Sequence, residues 1–149
     1  MKRLSRYFSS ARDMVNDLRV PTRDLTAAST LSNDDTNSVL FLNSATEFAT
    51  TLPLPEAGLR FRFVVKAAPS GASYTIVTAN SANIIVGNIA SAADAGGSTD
   101  SEASGADTIT FVDGQATKGD WLEVVSDGTN WYASGACADE DAITFTTAS

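Results

Sequence analysis

Beyond Pro21 the chain is cut into short runs of β-branched and aromatic residues, each closed by Asn, Asp, Gly, Ser or Pro. None is long enough for an amphipathic helix of ordinary length, and such punctuation is the pattern of an all-β sandwich or barrel. The runs predict strands at residues 39–42, 48–52, 59–66, 74–78, 84–89, 108–112, 121–126, 131–134 and 142–146. The clearest is Arg60-Phe61-Arg62-Phe63-Val64-Val65-Lys66, where strict alternation sets Phe61, Phe63 and Val65 on one face and Arg60, Arg62 and Lys66 on the other. Asp127-Gly128-Thr129-Asn130 and Asp113-Gly114 supply turn chemistry between strands, while Pro53 and Pro55 mark a loop. Residues 91–107 lack aromatic and branched aliphatic side chains until the next strand, which predicts a long exposed, flexible loop. No stretch of 20–50 residues repeats, which reads against a solenoid.

Residues 1–23 behave differently. Apolar residues fall at Leu4, Phe8, Ala11, Val15 and Leu18, steps of four and three that line one side of a helix, and Pro21 ends it. The segment carries six cations against two acids, a net +4. Residues 24–149 carry four cations against sixteen acids, a net −12, and the two make the −8 of the whole chain. The reading is a mainly β protein: a basic helical arm over residues 1–23, then an acidic β-sandwich or barrel-like domain over residues 24–149. A helix this short is marginal in water unless it docks on something. Three uses are open to it: a frayed or self-capping end, a partner-docking arm, or a membrane-surface helix diluted by Asp13 and Asp17. The partner-docking residues of the arm would be Lys2, Arg3, Arg6, Phe8, Arg12, Val15, Leu18 and Arg19.

The same composition narrows the chemistry. With no histidine and the single Cys137, there is no set for zinc, no His-based acid–base pair and no internal disulfide, so no catalytic residue, metal or cofactor is expected. Phosphate-cradling, dinucleotide and nucleophile-elbow motifs are missing, and the acids of residues 91–107 do not fall in a calcium-loop frame. No apolar run approaches the ~20 residues of a membrane-spanning helix, and charges interrupt any secretion signal near the start. An acidic body is repelled by nucleic acid and by anionic membranes, so neither is an expected partner. Arg60, Arg62 and Lys66, together with Trp121, Trp131 and Tyr132, are the candidates for subunit or surface contact. Trp131 and Tyr132 are consecutive in a strand, so one must enter the core while the other faces out. A sugar-stacking platform is the competing use of these aromatics.

Three stretches carry a resemblance: Phe41-Leu42-Asn43-Ser44-Ala45-Thr46, the run from Thr51 to Phe61 (TLPLPEAGLRF), and the run from Gly119 to Tyr132 (GDWLEVVSDGTNWY). Together they resemble tailed-bacteriophage head decoration, or cement, proteins, and next to those the small β-domains of phage tail fibres and appendages. The resemblance spans residues 25–146. It implies a non-enzymatic virion protein, assembled in the host cytoplasm, that binds the major capsid protein on the outer capsid surface as a homo-oligomer, a dimer or trimer. The alternative it implies is a tail-fibre or appendage domain that binds a host receptor or glycan.

Overall fold

In the computed structural model, which describes residues 18–44, 46–92 and 99–149, the alternation read from residues 60–66 organises the whole domain. Phe61, Phe63 and Val65 are buried, while the positions between them face outward. This strand, β5 (Arg60–Val65), lies in a seven-stranded sheet ordered β1 (Thr22–Leu25), β3 (Ser38–Leu42), β5, β10 (Trp121–Ser126), β11 (Trp131–Cys137), β7 (Ile85–Ser91) and β8 (Thr99–Ala106). A second, five-stranded sheet runs β12 (Ile143–Thr146), β9 (Thr108–Phe111), β6 (Tyr74–Val77), β4 (Ala49–Thr51) and β2 (Ser29–Thr30). The inward faces of the two mixed sheets pack into one core, so the fold is a β-sandwich. The larger sheet contributes Leu40, Phe61, Leu122, Val124 and Trp131, and the smaller contributes Tyr74, Ile76, Ile109 and Phe111. Trp131 and Phe61 meet at 5.8 Å between ring centroids, tilted by 46°, a spacing favourable for an aromatic pair.

All nine strands read from the sequence are present, with ends shifted by a residue or a few. The first six strands of the chain alternate strictly between the two sheets, and each meets its predecessor in the same sheet in parallel. The N-terminal half therefore winds as three rungs of a parallel roll within the sandwich. The rungs are unequal: Thr22 lies beside Val39, but Ser38 lies beside Phe61. Unequal rungs leave no period in the sequence. The β10–β11 hairpin then sits between β5 and β7, with β10 antiparallel to β5 and β11 parallel to β7.

Two expectations about boundaries are corrected. Strand β1 begins at Thr22, so Thr22 and Arg23 belong to the sandwich and not to the arm. The long loop expected over residues 91–107 is in large part strand β8, paired antiparallel with β7. Ser101, Ala103 and Ser104 are exposed and only Ala106 enters the core among the described side chains, but a ladder is made by backbone groups that need no apolar side chain. Small residues are required there. A Cβ on Gly105 would lie 2.4 Å from the Asn83 carbonyl oxygen, and one on Gly87 only 1.9 Å from that of Ala133. The helix expected over the first eighteen residues lies outside the described residues up to residue 17, and Leu18 and Arg19 form a turn and a bend leading to Pro21. Among the described residues no helix is long and apolar enough to cross a membrane.

Polar groups in the core are of two kinds. The Tyr74 hydroxyl lies 2.7 Å from the Ser44 carbonyl and 2.8 Å from that of Ala67, tying together the loops that leave β3 and β5. By contrast Ser29 and Thr50 are register partners whose buried hydroxyls have no hydrogen-bond partner among the described residues. Replacing Tyr74 by Phe is expected to cost about 1–3 kcal/mol in denaturant unfolding, because the part-buried hydroxyl that donates to these carbonyls and accepts the Ser44 N–H is lost. Thr50→Val removes an unpaired hydroxyl at nearly constant volume and is expected to raise stability by about 1 kcal/mol in the same measurement.

Candidate functional site: the outer face of the larger sheet

The backbone register arranges the outward side chains of the larger sheet in three rows across the strands. One row reads Asp24, Phe41, Val64, Trp121, Ala136 and Ala90. The next reads Thr22, Val39, Arg62, Glu123, Ser134 and Asn88, and the third reads Arg60, Val125, Tyr132 and Val86. Five of the six contact candidates, Arg60, Arg62, Lys66, Trp121 and Tyr132, are thus brought to one surface. Trp131 is not among them. It is fully buried with its indole nitrogen unpartnered among the described residues, so its assignment to a contact surface is corrected: it is the core anchor and Tyr132, half exposed, is the outward neighbour.

The three cations do not wait for acids of another subunit, as the sequence reading allowed. Arg60 pairs with Glu123 at 2.7 Å, and Lys66 with Asp24 at 2.6 Å. The Arg62 guanidinium lies 4.3 Å from the centre of the Trp121 ring, and the Lys66 ammonium 5.8 Å from that of Phe41, both within cation–π range. Each long side chain covers an aromatic, which is why Phe41 and Trp121 are only half buried on an open sheet face. Phe41, Val64, Val86 and Val125 were not singled out in the sequence. Their only signal was the outward parity of a strand whose partner was unknown.

Two carboxylates of this surface are held below the usual aspartate range. Asp24 is kept there first by the Lys66 hydrogen bond and then by that of the Asn43 amide, which donates at 2.9 Å. At the β10–β11 hairpin tip, Asp127 accepts the backbone N–H groups of Asn130 and Thr129, each at 2.8 Å, and the Tyr132 hydroxyl at 3.0 Å. Gly128, with φ of 100°, turns the chain there as the Asp-Gly signal predicted.

At the edge where the arm enters, a cleft of about 230 Å³ is lined by Val20, Asn37, Val39, Arg60, Arg62 and Glu123. It falls below the roughly 300–1,000 Å³ of small-molecule sites. Leu18, Arg19 and Val20 beside it are exposed. The other arm candidates, Lys2, Arg3, Arg6, Phe8, Arg12 and Val15, lie outside the described residues. Among the described residues no group of three or more Asp, Glu, Cys or His is gathered as a metal would need. Asp120, the buried acid, is a clasp: it accepts the N–H groups of Thr117 at 2.8 Å and Ala138 at 2.9 Å, fastening the end of β11 to the turn before β10. The Cys137 thiol is buried and directed at the Ala90 carbonyl at 3.7 Å. Comparison with known proteins finds no matching family model, curated protein or solved structure.

The surface combines aromatics, arginines and carboxylates whose charges are satisfied within the chain. Its acid response follows from the two lowered aspartates. Their unfolded forms take up protons at about pH 3.9, while the folded forms hold out to lower pH. The stability they contribute is therefore present above that value and lost as pH falls through the lowered folded values. Carboxyl NMR titration is expected to place the midpoints of Asp24 and Asp127 below those of solvated aspartates, and Lys66→Met is expected to return Asp24, but not Asp127, toward the ordinary value.

Proposed function

We propose that this chain is a structural, non-enzymatic virion protein of the decoration type, which binds the outer surface of an assembled phage capsid and stabilises the shell. The observation that carries the reading is the juxtaposition at one sheet. The outer face of the larger sheet collects Trp121, Tyr132, Phe41, Arg60 and Arg62, and the basic arm joins the sandwich at β1, the edge strand of that same sheet. Trp, Tyr and Arg are the residue types that dominate protein–protein contact energies. A shell under outward pressure from its genome is held best by a protein with several linked attachment points, since each later contact forms at high effective concentration. The basic arm supplies one such point per subunit for an acidic, partly apolar groove of the major capsid protein. The sequence resemblance to decoration proteins points the same way.

A second reading, a tail-fibre or appendage domain, is favoured by the half-exposed Tyr132 beside the ordered hairpin tip at Asp127. The two separate by stoichiometry. Quantitative mass spectrometry of purified particles is expected to find hundreds of copies, and a handful per particle would move the assignment to the tail. Deleting residues 1–20 is expected to abolish co-sedimentation with expanded shells while the far-ultraviolet circular dichroism of the β-domain is unchanged. Binding by the truncated protein at full level would remove the arm from the mechanism.

A further inference from the structure

Strand β8 is the edge of the larger sheet, and it is bonded to β7 in two pieces. Ala106 lies beside Ile85, and Thr99 to Glu102 lie beside Ala90 to Gly87, so Ala103, Ser104 and Gly105 bulge out of the ladder between them. In that bulge the N–H groups of Ser104 and Gly105 donate to the Glu102 carboxylate and not to β7. Gly105 has φ of 105°, a backbone angle that side chains disfavour. The outer piece of β8 is thus joined to the sandwich through a bulge and a glycine, which together can absorb the change of angle a hinge needs.

That hinge is held from two sides. The Asn83 carbonyl oxygen lies so close that a Cβ on Gly105 would stand only 2.4 Å from it, and the Thr147 hydroxyl donates to the Gly105 carbonyl at 3.4 Å. The two holders also grip each other. The Ala148 N–H donates to Asn83 Oδ1 at 2.9 Å, and Asn83 Nδ2 donates to the Ala148 carbonyl at 3.2 Å. Asn83 is itself fixed by the connection that carries it: Asn80 and Ser81 take left-handed backbone, with φ of 61° and 51°, and the Thr78 hydroxyl donates to the Ala82 carbonyl at 2.8 Å. We infer that residues 146–148, gripped by Asn83, are a strap that locks the hinge at Gly105, and that residues 99–104 open as a flap, independently of the core, when the strap lets go.

Little buried surface resists such an opening. Ser101, Ala103 and Ser104 are exposed and Glu102 is half-buried, while the buried Ala106 lies on the core side of the hinge. Segments that bury few apolar side chains open at free energies below that of global unfolding. What the flap gives up is its ladder to β7, which is paired on its other side with β11. With the flap away, β7 becomes the sheet edge. An uncovered edge is a template for pairing with another chain, so the lock also keeps that template covered. The strap continues from β12, the edge of the smaller sheet, and the flap is the edge of the larger, so one small contact ties the two edges on this flank of the sandwich.

The lock is tested on the full chain alone, apart from the capsid reading, by native-state amide hydrogen exchange. The ladder amides of Thr99–Glu102 are expected to exchange by local opening, faster than those of β10 and β11. Asn83→Ala removes both hydrogen bonds of the grip at an exposed position, and Ala148→Pro removes the N–H donor from the opposite side. Each is expected to speed exchange of the Thr99–Glu102 amides on the order of fivefold, with the β10 and β11 amides unchanged. The double variant is expected to add nothing to Asn83→Ala, because both substitutions act on one contact. Flap amides as slow as those of β10 in the unmodified chain would overturn the flap. Variants that speed every strand alike, or whose effects add in full, would overturn the lock.

Discussion

Strand β5 is where the two building plans of this domain meet. One edge is bonded in parallel to β3, the preceding rung of the roll, and the other is bonded antiparallel to β10. Its alternation is propagated both ways by the ladder. Because side chains repeat with period two, the register that buries Phe61 and Phe63 also aligns Leu40 and Leu42 on one side and Leu122 and Val124 on the other. A slip of one residue would expose every one of them and bring Arg60 and Arg62 into the core. Core and outer face are therefore a single constraint read from two sides.

That constraint also decides where charge can go. The net acidity of the body is carried by loops and strand ends, such as Asp34, Asp35, Glu56, Asp139, Glu140 and Asp141, all outside the strands. The acids of the large face stand beside cations, Glu123 on β10 beside Arg60 of the adjacent β5 and Asp24 on β1 beside Lys66 just past the end of β5. Exposed ion pairs contribute little to stability, commonly under about 1 kcal/mol each. Their effect here is on what the surface can accept. A face whose charges are satisfied internally loses little when it is desolvated by another apolar and aromatic surface, whereas the acids of the loops repel another acidic surface.

How much of this was legible depended on whether the signal was local. Period-two alternation and turn residues are local, and they located nine strands and the Asp127–Asn130 hairpin connection. β2 is two residues long and holds only Ser29 and Thr30, too short for any pattern. β8 is a strand by virtue of backbone bonds to β7, and its composition reads as a loop because Gly105 answers to close backbone approach and the strand buries nothing larger than Ala106 among its described side chains. The parallel winding is non-local by nature, since only the pairing of Thr22 with Val39 and Ser38 with Phe61 reveals it. The same limit applied to the site. Sequence alternation showed that Arg60, Arg62 and Lys66 share a face, but not that Glu123, Trp121 and Asp24 stand beside them. Trp131 and Tyr132 illustrate the boundary well: that one is in and one is out follows from chain geometry, and which is which follows only from the partner strands.

The division between arm and body gains a physical meaning from the position of β1. The charge reverses sign at the residues where the chain joins β1, the edge strand of the larger sheet, and Leu18, Arg19 and Val20 are exposed just before that strand. The exposed residues Leu18 and Arg19 lead into Val20, which lines the cleft with Asn37, Val39 and Arg60, so the end of the basic segment and the outer face share one margin of the sandwich, where the sign of the charge changes.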